Sequence, residues 1–257
     1  MSAAIEFRQL SVASSEGRLL LDRVSFAVEK GSITAVLGRS GSGKTTLLRT
    51  VNRMVEPSSG ELCIDGRNVC DADLIALRRR IGYVIQETGL FPHFTIERDV
   101  ALVLEAGRQP RRERMKRSHE LLLAVGLDPA TFARRYPHQL SGGQRQRAGL
   151  ARALAAEPEI LLMDEPFGAL DPLTRADMQD MLRDLLRRLR KTVLLVTHDL
   201  DEALYLGDRL VLLCEGKLVA MLSPEEFLHS SQPEVAAYVR AFHRGERSTA
   251  TGGTRRA

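Results

Sequence analysis

Tryptophan is absent from this chain of 257 residues, and aromatic residues make up only 5% of it. Proteins that hold single-stranded nucleic acid do so on stacking aromatic platforms, so so few rings argue against that partner. Cysteine is nearly as scarce: Cys63, Cys70 and Cys214 form an odd, scattered set with no CxxC pair. A disulfide framework and a cysteine-based zinc site are therefore not expected, and the thiols are read as reduced. No apolar run approaches the ~20 residues that a membrane-spanning helix needs; the longest, such as Ile160–Met163 and Val193–Val196, are far shorter. The first residues carry no basic stretch followed by an apolar segment and a cleavage site, so secretion is not expected and the cytosol is.

What is present is ordinary globular material, 44% hydrophobic and 27% charged. Such a length suits one large domain, or one domain with a sizeable insertion. Lysine and arginine number 37 against 33 acidic residues, a net charge of +4. The excess gathers at Arg78–Arg80, Arg111–Arg117 and Arg183–Lys191. Asp180 and Asp184 fall at helical spacings from the arginines of the last cluster, which marks a solvated helix face. Nucleic acid is not an expected partner.

Residues 5–12 and Val24–Val28 alternate in polarity and read as strands of a partly solvated antiparallel layer. Ile33–Leu37 is a continuous apolar run that ends in Gly38, followed by a glycine-rich loop and a helical pattern from Lys44. Leu62–Ile64 and Ile81–Ile85 read as further strands. From about residue 89 to 156 the β-pattern gives way to helix spacing at Ile96–Glu105, Arg112–Val125 and Gly143–Ala156, punctuated by Pro110, Pro129 and Pro137. Strands return at Ile160–Met163, Val193–Val196 and Leu210–Leu213, with a helix over about 172–190 between the first two. Strands alternating with helices imply a mostly parallel sheet covered on both faces. The expected division is a core of about 1–88 and 157–244 with a helical insertion at 89–156, and a disordered tail over 245–257.

Gly38-Arg39-Ser40-Gly41-Ser42-Gly43-Lys44-Thr45 fits GxxxxGK[ST] between a strand and a helix, the context that identifies a phosphate-binding loop. Backbone amides at a helix N-terminus suit phosphate oxygens, Lys44 reaches the β- and γ-phosphates, and the Thr45 hydroxyl suits Mg²⁺. Ile160–Met163 delivers Asp164 and Glu165 at a strand end, where open parallel sheets bind ligands. Asp164 suits the Mg²⁺ shell, and Glu165 is placed to orient or deprotonate an attacking water. His198 and Gln86 end two other strands on the same edge. His198 suits a γ-phosphate or the water; the Gln86 amide suits the γ-phosphate and metal. Ser141-Gly142-Gly143-Gln144 places a capping serine before a helix whose two glycines bare amides to an anion. A second anion trap in one chain suggests closure on a nucleotide held by another copy.

GRSGSGKT, Gln86, LSGGQ, ILLMDE, GALD at Gly168–Asp171 and His198, in that order, resemble the ATPase subunits of ATP-binding-cassette (ABC) transporters over about residues 5–230. The resemblance implies an α/β P-loop NTPase (RecA-like) core, with an antiparallel β layer and an inserted helical subdomain. It also implies a head-to-tail homodimer holding two ATP molecules with Mg²⁺. Each ATP would bind residues 38–46, Thr46 included, with Thr45, Gln86 and Asp164 toward the metal and Glu165, His198 and Gln86 toward the chemistry. Ser141–Gln144 of the other copy would close over it, and Asp171 would link the two sites. Thr50–Met54, Glu56-Pro57, Ile81–Gln86, residues 89–96 and Thr197–Ala203 further resemble importers of osmoprotectants such as glycine betaine and choline. That implies ATP hydrolysis at the cytoplasmic face of the plasma (inner) membrane, two transmembrane permease subunits docked near residues 89–96, and an extracytoplasmic substrate-binding protein. Import of another small solute, lipid trafficking, or a soluble ABC ATPase acting on nucleic acid stand as alternatives. Two departures are visible: the chain ends before the tandem regulatory domains that many such ATPases carry, and Ser14-Ser15 stand where the family places its adenine-stacking ring.

Overall fold

The computed structural model describes the backbone of residues 3–86 and 88–250, with side chains as far as Phe242. In chain order the strands are β1 (Ala3–Ala13), β2 (Leu19–Glu29), β3 (Ile33–Leu37), β4 (Ser59–Ile64), β5 (Arg67–Asn68), β6 (Ile81–Val84), β7 (Ile160–Asp164), β8 (Thr192–Val196), β9 (Arg209–Cys214) and β10 (Lys217–Leu222). The helices are α1 (Lys44–Val51), α2 (Leu74–Arg79), α3 (Ile96–Ala106), α4 (Arg111–Ala124), α5 (Pro129–Phe132), α6 (Gly142–Leu154), α7 (Pro172–Leu189), α8 (Leu200–Leu206), α9 (Pro224–Leu228) and α10 (Pro233–Ala250).

Six strands form the central sheet in the order β10-β9-β3-β8-β7-β6, and β2-β1-β4-β5 form a second, antiparallel sheet. Every pairing from β9 through β6 is parallel, and only the edge strand β10 runs antiparallel. Continuous apolar runs make these central strands because both faces are covered. In β3, Ala35 and Leu37 enter one core while Val36 enters the other; in β8, Val193 and Leu195 face the first and Leu194 and Val196 the second. The first core is closed by α3, α4, α6 and α7, the second by α1 and the antiparallel sheet. A strand alternates its side chains across the sheet, so a doubly covered strand buries every position and is mostly apolar, as β3 and β8 are apart from buried Thr34 and Thr192.

Four helices, α3–α6, stand between β6 and β7, where β-periodicity is missing from the sequence. Two strands and several helices escape the periodicity. The hairpin β9–β10 turns on Glu215 and Gly216, both at positive φ (48° and 78°), the backbone that a two-residue hairpin loop demands. The tail expected to be disordered from residue 245 begins inside α10, whose helix continues to Ala250. Once Pro233–Phe242 has formed turns, each added residue contributes a hydrogen bond without a new nucleation cost, so polar residues follow the helix outward. Residues 251–257 lie outside the described residues.

Candidate active site

The loop leaving β3 carries Gly38, which is buried, then Arg39, Ser40 and Gly41, which are exposed, then buried Ser42. Gly43 N-caps α1 at φ 99°, and a Cβ there would lie 2.7 Å from the Leu20 carbonyl oxygen and from the Leu21 side chain. Only glycine satisfies both the left-handed backbone and that close approach. Lys44 folds back inside the loop, its Nζ donating to the carbonyls of Gly38 at 2.8 Å and Arg39 at 3.0 Å. Burial pushes its ammonium below the ordinary lysine range, with Glu165 and Asp164 opposing. Thr45 and Thr46 follow in the first turn of α1.

Asp164 closes β7 and is buried; its Oδ1 accepts from the Thr45 hydroxyl at 3.0 Å. Burial lifts its carboxyl above the usual range, and the Thr45 bond and the Arg49 charge pull it back. A hydroxyl and a carboxylate, both oxygen donors at the foot of a phosphate loop, form the donor set that a hard divalent cation accepts. Among the described residues no group of three or more histidine, cysteine or acidic side chains is arranged to hold a metal. Two oxygen donors suit a cation that takes its other ligands from elsewhere, rather than a closed protein cage.

Glu165 occupies the left-handed region at φ 46°, its amide donating to the Val196 carbonyl at 2.9 Å. That turn aims the carboxylate along the sheet edge. Its Oε2 accepts from Gln86 Nε2 at 3.3 Å and lies 3.3 Å from His198 Nδ1. The strands that deliver these three residues, β6, β7 and β8, are neighbours in the sheet, with β3 and the phosphate loop next in order. The expected convergence on one edge is thus drawn to one carboxylate oxygen.

Ser141 N-caps α6: its Oγ accepts from the Gln144 amide at 3.3 Å, and the Gln144 carboxamide oxygen accepts from the Ser141 amide at 2.9 Å. The two glycines have different reasons. A Cβ at Gly142 would meet only the Leu170 side chain at 3.8 Å, whereas at Gly143 it would stand 2.5 Å from Thr174 Cγ2. A side chain at Gly143 would therefore force Thr174 of α7 to move, a packing constraint within this chain that the motif alone did not reveal. Asp171 N-caps α7, accepting from the Thr174 amide at 3.1 Å, and those bonds hold its carboxyl below the usual range.

Sequence reasoning missed several side chains around this edge. The Tyr83 hydroxyl reaches Asp164 Oδ2 at 3.4 Å. Buried Gln146, on α6, donates to the Gln86 carbonyl at 3.1 Å, and Arg152, also on α6, donates to the carbonyls of Gly89 at 2.7 Å and Thr88 at 3.0 Å. The QRQR and ARAL segments carry no local sign of this, since their acceptors lie some sixty residues away in sequence. Phe7, by contrast, stacks on Phe26 with centroids 4.5 Å apart inside the core, and the β1–β2 turn at Ser14–Arg18 carries no ring.

Residues 21–168 match the sequence model of the ABC transporter family. The chain belongs to that family. The cassette is 46% identical over 230 residues to the glycine betaine/carnitine/choline transport ATP-binding protein OpuCA of Bacillus subtilis, covering 90% of this chain and 60% of that protein. It is 44% identical to the glycine betaine uptake system ATP-binding protein YehX of Escherichia coli, covering 86% of this chain and 71% of that one. Among solved structures it superposes, with TM-score 0.78 and 34% identity, on a dimeric ATP-binding cassette in a post-hydrolysis state bound to ADP and Pi; the match covers 86% of this chain and 98% of the other. The cassette spans 54–60% of the length of OpuCA and of two other osmoprotectant relatives. No helix among the described residues is long and apolar enough to cross a membrane.

Proposed function

We propose that this cassette hydrolyses ATP to drive an importer of small quaternary-ammonium osmoprotectants, such as glycine betaine or choline. The observation that carries the hydrolysis is the meeting of Gln86 and His198 on one oxygen of Glu165, beside the Lys44 loop and the Thr45–Asp164 pair. Residues 38–46 hold the phosphate chain through loop amides, and Lys44 releases the carbonyls of Gly38 and Arg39 to reach the β- and γ-phosphates. Thr45, Asp164 and Gln86 would hold Mg²⁺, which would supply charge neutralisation at the phosphates. Glu165 takes the proton of the attacking water, while His198 orients that water or the γ-phosphate it attacks. Gln86 holds the Glu165 carboxylate and links the site to the helices that follow.

The cassette acts as a homodimer. Ser141–Gln144 of one copy meet the ATP held by the other, where the first-turn amides of α6 favour an anion, and Asp171 lies on the path between the two sites. Support for the solute comes from the names of the relatives, which include carnitine, choline and glycine betaine transport proteins at 41–49% identity. The partners are two transmembrane permease subunits and an extracytoplasmic substrate-binding protein, and the cassette sits peripherally on the cytoplasmic face of the membrane. Co-expression with candidate permease and binding-protein subunits, reconstitution into vesicles, and uptake of radiolabelled glycine betaine and choline test the reading. ATP-dependent uptake is expected; ATP hydrolysis without uptake of either solute would refute the solute class.

A further inference from the structure

The backbone of the His198 loop is gripped by an element that the phosphate site does not otherwise use. Tyr238, on α10, donates its hydroxyl to the His198 carbonyl oxygen at 3.1 Å. The ring stands edge-on to Phe227 with centroids 6.5 Å apart, and Phe227 is fully buried, so the phenol is seated on the core. A groove of about 690 Å³ runs between α10 and the loop ends, and Gly38, Arg39, His198, Cys214 and Tyr238 line it.

The geometry matters because the His198 side chain is 62% exposed and, among the described residues, its one close side-chain polar contact is the approach to Glu165. Thr197 and Asp199 tie down the flanks of the loop, through the Thr197 hydroxyl bond to Glu202 at 2.6 Å and the Asp199 amide bond to Thr197 at 3.0 Å. Neither bond touches His198 itself. The phosphates are placed by a loop after β3 and the imidazole by a loop after β8; both loops border the groove that Tyr238 lines, and its phenol bonds the second of them. We infer that Tyr238 is a positioning residue for hydrolysis, and that α10 acts as a strut fixing His198 relative to the phosphate loop. The inference rests on the proposed action of His198 at the γ-phosphate or its attacking water.

Tyr238→Phe keeps the ring and its packing and removes only the hydroxyl. A misplacement of about 1 Å in a reacting group costs up to about 10²-fold, so loss of one of several constraints is expected to lower kcat roughly ten-fold. KM for ATP and the melting temperature should stay close to wild type, because the phosphate contacts and the core are untouched. The decisive measurement is a double-mutant cycle on the whole chain, using single-turnover rates with MgATP for wild type, Tyr238→Phe, His198→Ala and the double variant. If Tyr238 acts through His198, its substitution slows the wild type but adds nothing in the His198→Ala background. An unchanged kcat in Tyr238→Phe, or an equal loss with and without His198, overturns the inference while leaving ATP hydrolysis standing. No hydrolysis by wild type, or wild-type rates in His198→Ala, overturns the role of His198 and the inference with it.

Discussion

Replacing Glu165 with glutamine separates the chemistry of this site from its shape. Gln86 and His198 both approach Oε2 of Glu165 at 3.3 Å, and a glutamine carbonyl oxygen can occupy that place and keep both contacts. Glutamine also keeps the side-chain length and has no more difficulty than glutamate with the left-handed backbone at φ 46°. The Lys44 contacts to the Gly38 and Arg39 carbonyls and the Thr45–Asp164 bond lie on other residues. What disappears is the ability to accept the water's proton. General-base removal costs about 10²–10⁴ in rate, equivalent to about 3–5 kcal/mol of barrier. Nucleotide affinity should change little, so ATP-bound dimers that hydrolyse slowly should accumulate. Size-exclusion chromatography with MgATP, followed by single-turnover measurement on the dimer fraction, reads both quantities. A monomer with wild-type turnover would refute Glu165 as the base; a large loss of ATP affinity would show that the carboxylate's charge is needed for binding.

Lys44→Ala and Ser141→Arg chains, each inactive alone, should regain partial activity when mixed, since one heterodimer contains one intact composite site. Mixtures as inactive as their parents, under conditions where dimers exchange, would mean that the trans arrangement is wrong or that one intact site cannot fire alone. With no ring in the Ser14–Arg18 turn, the ~1–3 kcal/mol that base stacking contributes elsewhere is missing. GTP should therefore compete with ATP almost equally in equilibrium titrations, and Ser15→Tyr should tighten binding of both; strong ATP preference unmoved by Ser15→Tyr and Arg18→Ala would sink this reasoning. Glu202 is buried and accepts from Thr197 at 2.6 Å, and desolvation raises its carboxyl from 4.5 to about 7. An acid raised on folding contributes stability that is present below its unfolded pKa and lost as pH climbs to the folded one. The melting temperature of Glu202→Gln relative to wild type should therefore rise between about pH 4.5 and 7 and level off above; a constant offset across that range would refute the titration.

Gly38–Thr45 were legible because a phosphate loop is written in consecutive residues whose glycines answer local backbone demands, as Gly43 does at φ 99°. The start of α6 was legible for the same reason: Ser141 and Gln144 cap each other within three residues. The β9–β10 hairpin was not read from the sequence, because the alternation of β10 is too weak to announce a strand by itself.

By itself, the sequence determined the alternation of strands and helices, the phosphate loop, the acidic strand end and the helical stretch between β6 and β7. Each depends on hydrogen bonds or periodicities that close within a few residues. Only the tertiary structure decided that β6, β7 and β8 stand side by side, so that Gln86, Glu165 and His198 share one oxygen. It also decided that Gly143 packs against Thr174, that Gln146 and Arg152 hold Gln86 and the segment after it, and that Tyr238 reaches the His198 backbone. Those partners are set by sheet order and helix packing. Many distant residues contribute to that packing jointly, and no single stretch of sequence carries it.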